Sequence, residues 1–236
     1  MSESSLAAPC ALFVHGAGGG AWEWNVWTRV FTARGWRTHA IELEPVEGGY
    51  AATRLSDYRM QVEAAVRASS PSVLVGASLG GWLAYAVADA VSALVLVNPL
   101  PPSPWHHALR RAEPYPDVVC WRDARRLDGT LAAMPDSDAA ARLYAFRSWR
   151  NESGAVLNEA RAGVQLDEPS CPVLIIAAED DEDLACSGLR EMAQALNASF
   201  LNVGGGHLSP LLGRAAADRA VLAVDWLNAQ KGFTTH

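Results

Sequence analysis

The chain has 236 residues, half of them hydrophobic and 19% charged, with a formal net charge of −7 at pH 7. That length supports one domain around one sizeable core, and the balance is that of a soluble globular protein. The acidic balance and the absence of a Lys or Arg run argue against a nucleic-acid or anionic-membrane partner, since either needs clustered positive charge.

The opening segment "MSESSLAAPC" has neither a basic stretch nor an apolar one, so no secretory leader is expected. No window approaches 18 uninterrupted apolar residues, so no membrane span is expected. The first predicted strand is Ala11 to Val14, which runs into a glycine-rich turn. A helical pattern follows over Ala21 to Arg34, then a strand over Trp36 to Ile41 and a helix over Tyr58 to Ser69. Next come a strand from Ser72 to Val75, a helix from Leu79 to Ala88 and a strand from Ala93 to Val97. The later elements are strand Pro172 to Ala178, helix Leu184 to Leu196, strand Ser199 to Val203 and helix Pro210 to Ala229.

Several of these strands are continuously apolar, as strands buried on both faces of a parallel sheet are. The alternation of strand and helix predicts an α/β fold: a doubly wound, mainly parallel sheet of about six strands with flanking helices. Residues 99–169 break the rhythm. They open on "PLPPSPWHH" and then carry Trp105, Tyr115, Trp121, Tyr144, Phe146 and Trp149 on Arg-rich, helix-prone sequence. The expectation is a small helical cap over 99–169, inserted into a core made of 1–98 and 170–236.

Four cysteines, Cys10, Cys120, Cys171 and Cys186, lack metal-type or framework spacing. Buried free thiols in a cytoplasmic protein are the expectation. The glycine run Gly16 to Gly20 lacks the spacing of a nucleotide loop. The pair His106-His107 lacks an evident third ligand, so no metal and no cofactor is expected.

The chemistry centres on "VLVGASLGGW", Val73 to Trp82. A serine on a tight strand-to-helix turn projects its hydroxyl from the carboxyl edge of the sheet. Gly76 and Gly80 suit that turn because a Cβ at either would meet neighbouring backbone. Gly81 and Ala84 keep the following helix close to the strand. A serine hydroxyl is a poor nucleophile at neutral pH and needs a base, which needs an orienting acid. His207 in "GGGHLSP" follows the last strand and precedes a helix start, so it reaches the same edge as Ser78. The acid belongs on "AAEDDEDL", which offers Glu179, Asp180, Asp181, Glu182 and Asp183.

The order serine, acid, histidine, together with "VHGAGGGAWEW" near the start, resembles the α/β-hydrolase family. The likeness spans most of the chain outside 99–169, and "HGAGGGAWEW" is similar to the methylesterase and hydroxynitrile lyase branch. The resemblance implies oxyanion donors at the backbone N–H groups of Ala17 and Leu79, with His15 structural. It implies an acid three residues past the small residue that closes the fifth strand, which is Asp181, with Asp180 and Asp183 as competitors. Where many relatives carry Asp-x-Pro-Gly-x-Gly, this chain has "ELEPVEGG", so substrate preference does not transfer. The small residue before the acid loop is Ala178 in place of the usual glycine. The antiparallel strands that open many family sheets are expected to be missing.

The reading is therefore a serine hydrolase that cleaves an apolar or aromatic ester, thioester or lactone through an acyl-serine. Ser78, Asp181 and His207 would be catalytic, and Trp105, Trp121 and Trp149 would line the substrate pocket. A lyase or cyclase using the same triad for proton transfer is an alternative, as is a ligand-binding receptor on the same scaffold.

Overall fold

The computed structural model describes residues 8–110, 113–124 and 126–230. Most of the opening segment read for a leader, and the terminal His236, lie outside the described residues.

The chain begins with strand β1 (Cys10–Val14), helix α1 (Asn25–Ala33) and strand β2 (Arg37–Ala40). Helix α2 (Leu55–Ser69), strand β3 (Val73–Ala77), helix α3 (Leu79–Tyr85) and strand β4 (Ala93–Val97) follow. The segment after β4 holds strand β5 (Val118–Val119), helices α4 (Leu127–Ala133) and α5 (Ala139–Ser148), strand β6 (Glu152–Ser153) and helix α6 (Gly154–Arg161). The chain then returns through β7 (Val173–Ala178), α7 (Cys186–Ala195), β8 (Ser199–Val203), α8 (Ser209–Leu212) and α9 (Ala216–Ala229).

Six strands form one sheet in the order β2-β1-β3-β4-β7-β8. All five pairings are parallel. Along each central strand, side chains alternate between two cores. Leu12, Val14, Leu74, Leu96 and Ile175 face one core, with residues of α2, α3 and α7. Ala11, Phe13, Val75, Val95 and Ile176 face the other, with residues of α1 and α9. Both faces are covered, which explains why these strands read as unbroken apolar runs. The second core includes Phe13, Trp24, Trp27 and Phe31, with ring centroids 5.1–6.1 Å apart in tilted, edge-on and stacked pairs.

Two expected helices are subdivided. The first begins with a 3-10 turn over Ala21–Trp24, which buries both Glu23 and Trp24 before α1 starts. The last is interrupted at Gly213, whose extended backbone closes α8 before α9 begins. The segment between β4 and β7 is not purely helical. β5 and β6 form a short antiparallel ribbon, favoured by the β-branched Val118 and Val119. Helix α6 packs on α2 and α3. Of the cysteines, Cys10 is buried, whereas Cys120 is exposed and Cys171 and Cys186 are partly so; all four are free thiols. Burial was therefore expected too broadly. Among the described residues no helix is long and apolar enough to cross a membrane.

At the β3–α3 turn backbone packs directly on backbone. A Cβ on Gly80 would stand 2.6 Å from the carbonyl carbon of Val14, and one on Gly76 would stand 2.7 Å from that of Gly80. Backbone cannot yield as a flexible side chain can. Gly80→Ala should therefore lower stability by about 3 kcal/mol or more, because overpacking against main chain has no soft route of relief. Urea unfolding of the variant checks this, and an unchanged midpoint would contradict it.

Candidate active site

The carboxyl ends of β1, β3, β7 and β8 meet at the edge where strand order reverses between β1 and β3. That edge of an open parallel sheet is where ligands gather. A cavity of about 730 Å³ opens there, lined among others by Gly16, Ala17, Glu23, Ser78, Trp149 and His207.

Ser78 joins β3 to α3 with φ +51° and ψ −118°. A non-glycine residue at positive φ is strained by roughly 1–3 kcal/mol, and surrounding bonds must hold it. They do so here. The Ser78 N–H donates to Val97 O (3.0 Å), and its carbonyl accepts from the N–H groups of Gly81 (3.0 Å), Trp82 (3.2 Å) and Leu100 (2.9 Å). With the backbone fixed, the side chain stands at the cavity floor.

His207 Nδ1 lies 2.6 Å from Asp181 Oδ2. Asp181 is 2% exposed. Its Oδ1 accepts the N–H groups of Asp183 (2.8 Å) and Leu184 (3.1 Å), so the carboxylate is aimed by its own loop. Glu179, Asp180, Glu182 and Asp183 are exposed. Asp180 accepts the Gly205 N–H (3.3 Å), and its carboxylate contacts no ring. Of the five candidate acids, Asp181 is the one hydrogen-bonded to His207, and a carboxylate oxygen of Asp183 lies within 4.8 Å of the ring as well. Burial depresses the His207 pKa, but the charge and hydrogen bond of Asp181, with Asp183 and Glu23 nearby, raise it to about 9. No direct hydrogen bond joins Ser78 Oγ to His207 Nε2, although both residues line the cavity.

Ala17 and Leu79 flank Ser78 from the β1 loop and from the first position of α3. Neither backbone N–H donates to another group among the described residues. His15 is buried and neutral, with burial lowering its pKa to about 3. Nδ1–H donates to Gly16 O (2.7 Å), and Nε2 accepts the Leu43 N–H (3.0 Å), a tautomer fixed by that network. His15 thus spans two loops and does not line the cavity.

Two of the three tryptophans stand at the cavity. The ring of Trp121 lies over Gly18, where a Cβ would overlap it. Trp149 donates to Thr130 Oγ1 (3.0 Å) and meets Trp22 edge-on. Trp105 is not among the residues that line the cavity; it begins a 3-10 turn packed on α7 and packs against the core cluster on that side. The His106 and His107 rings stand 6.5 Å apart, edge to face. The His107 ring lies against Pro104 O (2.9 Å) and Glu191 (3.5 Å).

Four further residues shape the site and went unrecognised from sequence as doing so. Asn98, at the end of β4, accepts the Ala178 N–H through Oδ1 and donates to His207 O through Nδ2, both at 2.7 Å. It ties the His207 loop to the sheet. Arg150 donates to Gly19 O (2.7 Å), to Leu43 O (2.9 Å) and to His15 Nε2 (3.2 Å), and pairs with Glu42 (3.0 Å). Glu152 accepts the Gly18 N–H (2.9 Å) and the Tyr58 hydroxyl (2.8 Å). These bonds clamp the β1 loop from the far side of the cavity.

The fourth is Glu23. It is 1% exposed, and Oε2 accepts the Gly16 N–H at 3.0 Å. Burial raises its pKa from 4.5 to about 7, against the opposing pull of that N–H, His207 and Arg150. The one signal in the sequence is a charged residue set between two tryptophans in "AWEW".

The Glu23 shift has a consequence for stability. The folded state holds a proton through the window from 4.5 to about 7 that the unfolded chain has released, so stability falls as pH rises across it. Glu23→Gln removes this loss. The variant should gain up to about 3 kcal/mol more at pH 8 than at pH 5, since one pKa unit corresponds to about 1.4 kcal/mol. Thermal unfolding at the two pH values is the measurement, and equal effects at both would contradict it.

Residues 11–224 match the family described as the alpha/beta hydrolase family. Among curated protein sequences none matches. Tomato methylketone synthase I, solved with 2-tridecanone, is similar in structure, with a TM-score of 0.71 at 17% identity over 95% of this chain and 100% of that one. A pyrethroid hydrolase from Sphingobium faniae has a TM-score of 0.68 at 19% identity, over 94% and 98%. A methylesterase from Arabidopsis has a TM-score of 0.70 at 14% identity, over 93% and 100%. At these identities the likeness is one of fold, and the family match covers most of the chain. The protein belongs to the α/β-hydrolase family.

Proposed function

We propose that this protein is a serine hydrolase acting on an ester, thioester or lactone with an apolar or aromatic portion. The observation that carries the reading is the 2.6 Å bond between buried Asp181 and His207, in the cavity that also holds Ser78 on its strained turn. Segment 99–169 serves as the cap. It supplies Trp121 and Trp149 to the cavity wall, which favours an apolar substrate.

The reaction runs in two halves. Ser78 Oγ attacks the carbonyl carbon while His207 Nε2 takes the hydroxyl proton. Asp181 holds the imidazolium in place and balances its charge. The negative oxygen of the tetrahedral intermediate is received by the N–H groups of Ala17 and Leu79, the latter at the start of α3. Collapse expels the alcohol or thiol, which leaves with the proton from His207. Water then adds to the acyl-serine with His207 as base, and the acid departs. No cofactor enters this scheme.

Ser78→Ala should lower kcat by about 10⁴-fold or more, because binding and oxyanion stabilisation alone remain. Asp181→Asn should cause a loss on the order of 10⁴-fold through loss of the correct tautomer, whereas exposed Asp180→Asn should stay within about twofold. The free base form of His207 is required, so kcat/KM should climb with pH with its midpoint near about 9. Asp181→Asn should move that limb below 7, since it removes the charge that raises the imidazole. Steady-state rates on a short acyl p-nitrophenyl ester measure all of this. Full turnover in Ser78→Ala would overturn the mechanism.

A further inference from the structure

Glu23 takes no part in the mechanism above, yet it stands beside the nucleophile. A Cβ placed on Gly16 would lie 3.3 Å from Ser78 Cβ and 3.7 Å from Glu23 Oε2, so about one small group separates the carboxyl from the serine. Room for the carboxyl is built into the β1 loop, because any side chain at Gly19 would overlap it. One oxygen is satisfied by the Gly16 N–H. The other, Oε1, has no hydrogen-bond partner among the described residues.

The cavity lining also holds side-chain donors, Ser78 and His207 among them, but none of the described residues is hydrogen-bonded to Oε1. A carboxyl oxygen that lines a cavity without a protein donor is left short of a hydrogen bond. An occupant that brings a donor relieves this. Resting on the acyl-transfer reading, we propose that Glu23 is a specificity residue that accepts a hydrogen bond from a hydroxyl on the substrate, borne close to the reacting carbonyl. The preferred substrates are then hydroxyacyl compounds, polar beside the carbonyl and apolar farther out, where Trp121 and Trp149 lie.

A neutral donor fits better than an ammonium group. Arg150 and His207 already act on this carboxyl as positive groups, with Glu42 as the opposing charge. Burial also keeps the carboxyl partly protonated near neutral pH, which weakens its hold on a cation.

The test compares the p-nitrophenyl esters of 3-hydroxybutyrate and 3-methoxybutyrate. The two differ in the ability to donate. In the wild type the hydroxy ester should have the higher kcat/KM by about tenfold, the value of one charge-assisted hydrogen bond. In Glu23→Gln one amide atom must still accept the Gly16 N–H. That leaves the NH₂, a donor only, toward the cavity, and the hydroxy-to-methoxy ratio should fall to within about twofold of one. A wild-type ratio near one, or a ratio unchanged in Glu23→Gln, would overturn the proposal. Calorimetric binding of the two methyl esters to Ser78→Ala, with and without Glu23→Gln, reads the same ratio without turnover. If no ester is cleaved by the wild type but the binding ratio behaves as stated, the hydrolytic mechanism fails and the role of Glu23 stands. If esters are cleaved without discrimination, the reverse holds.

Discussion

The contact on which the site depends is the approach of Gly80 to the carbonyl groups of Val14 and His15. It brings the start of α3 against the end of β1 with no side chain between. Two consequences follow. The turn at Ser78 can be sharp enough to hold a positive φ, and the β1 loop that carries Ala17 is held beside that turn. Ser78 and the candidate oxyanion donors are thus fixed by a single piece of backbone packing. The strain at Ser78 is offset by bonds to Val97, Gly81, Trp82 and Leu100, which come from the end of β4, the loop after it and α3.

A second set of contacts secures the β1 loop from the opposite side. Arg150 and Glu152 reach from the segment between β4 and β7 to bond Gly18, Gly19 and His15. Glu23 holds Gly16 from within the loop. Glycines give such a loop its shape but little rigidity of its own, because each loses much conformational freedom on folding. A ring of buried, charge-assisted hydrogen bonds supplies the rigidity that preorganised N–H donors require. Burial raises the pKa of Glu23 and that of Glu152, so this ring has a pH dependence that a purely apolar support would lack.

The fold was legible because its strands are short, apolar and separated by amphipathic helices. Strands Ala93–Val97 and Ser199–Val203 match the sequence reading residue for residue. The Ser78 turn and the His207 loop were legible because local glycine and proline patterns mark them. Asp181 could be picked from five neighbouring acids only through family register; the structure adds the burial and the loop N–H groups that single it out. Arg150 and Glu152 were not legible as site residues. Gly18 and Glu152 lie 134 positions apart, and no periodicity links a loop to a partner that distant. Trp105 is indistinguishable in the sequence from Trp121 and Trp149, which do line the cavity, because an aromatic residue reads alike whether it packs inward or faces a ligand. Composition separates apolar from polar, but it does not say which side of a short helical turn meets the cavity.

The central claim is that Ser78 is the nucleophile and that Ala17 and Leu79 receive the negative oxygen. A crystal structure of the protein inactivated by an alkyl fluorophosphonate tests it most directly, since the adduct mimics the tetrahedral intermediate. The account predicts phosphorus bonded to Ser78 Oγ, with the phosphoryl oxygen about 2.9 Å from both backbone nitrogens. An adduct on another residue, no adduct at all, or a phosphoryl oxygen turned away from Ala17 and Leu79 would contradict it.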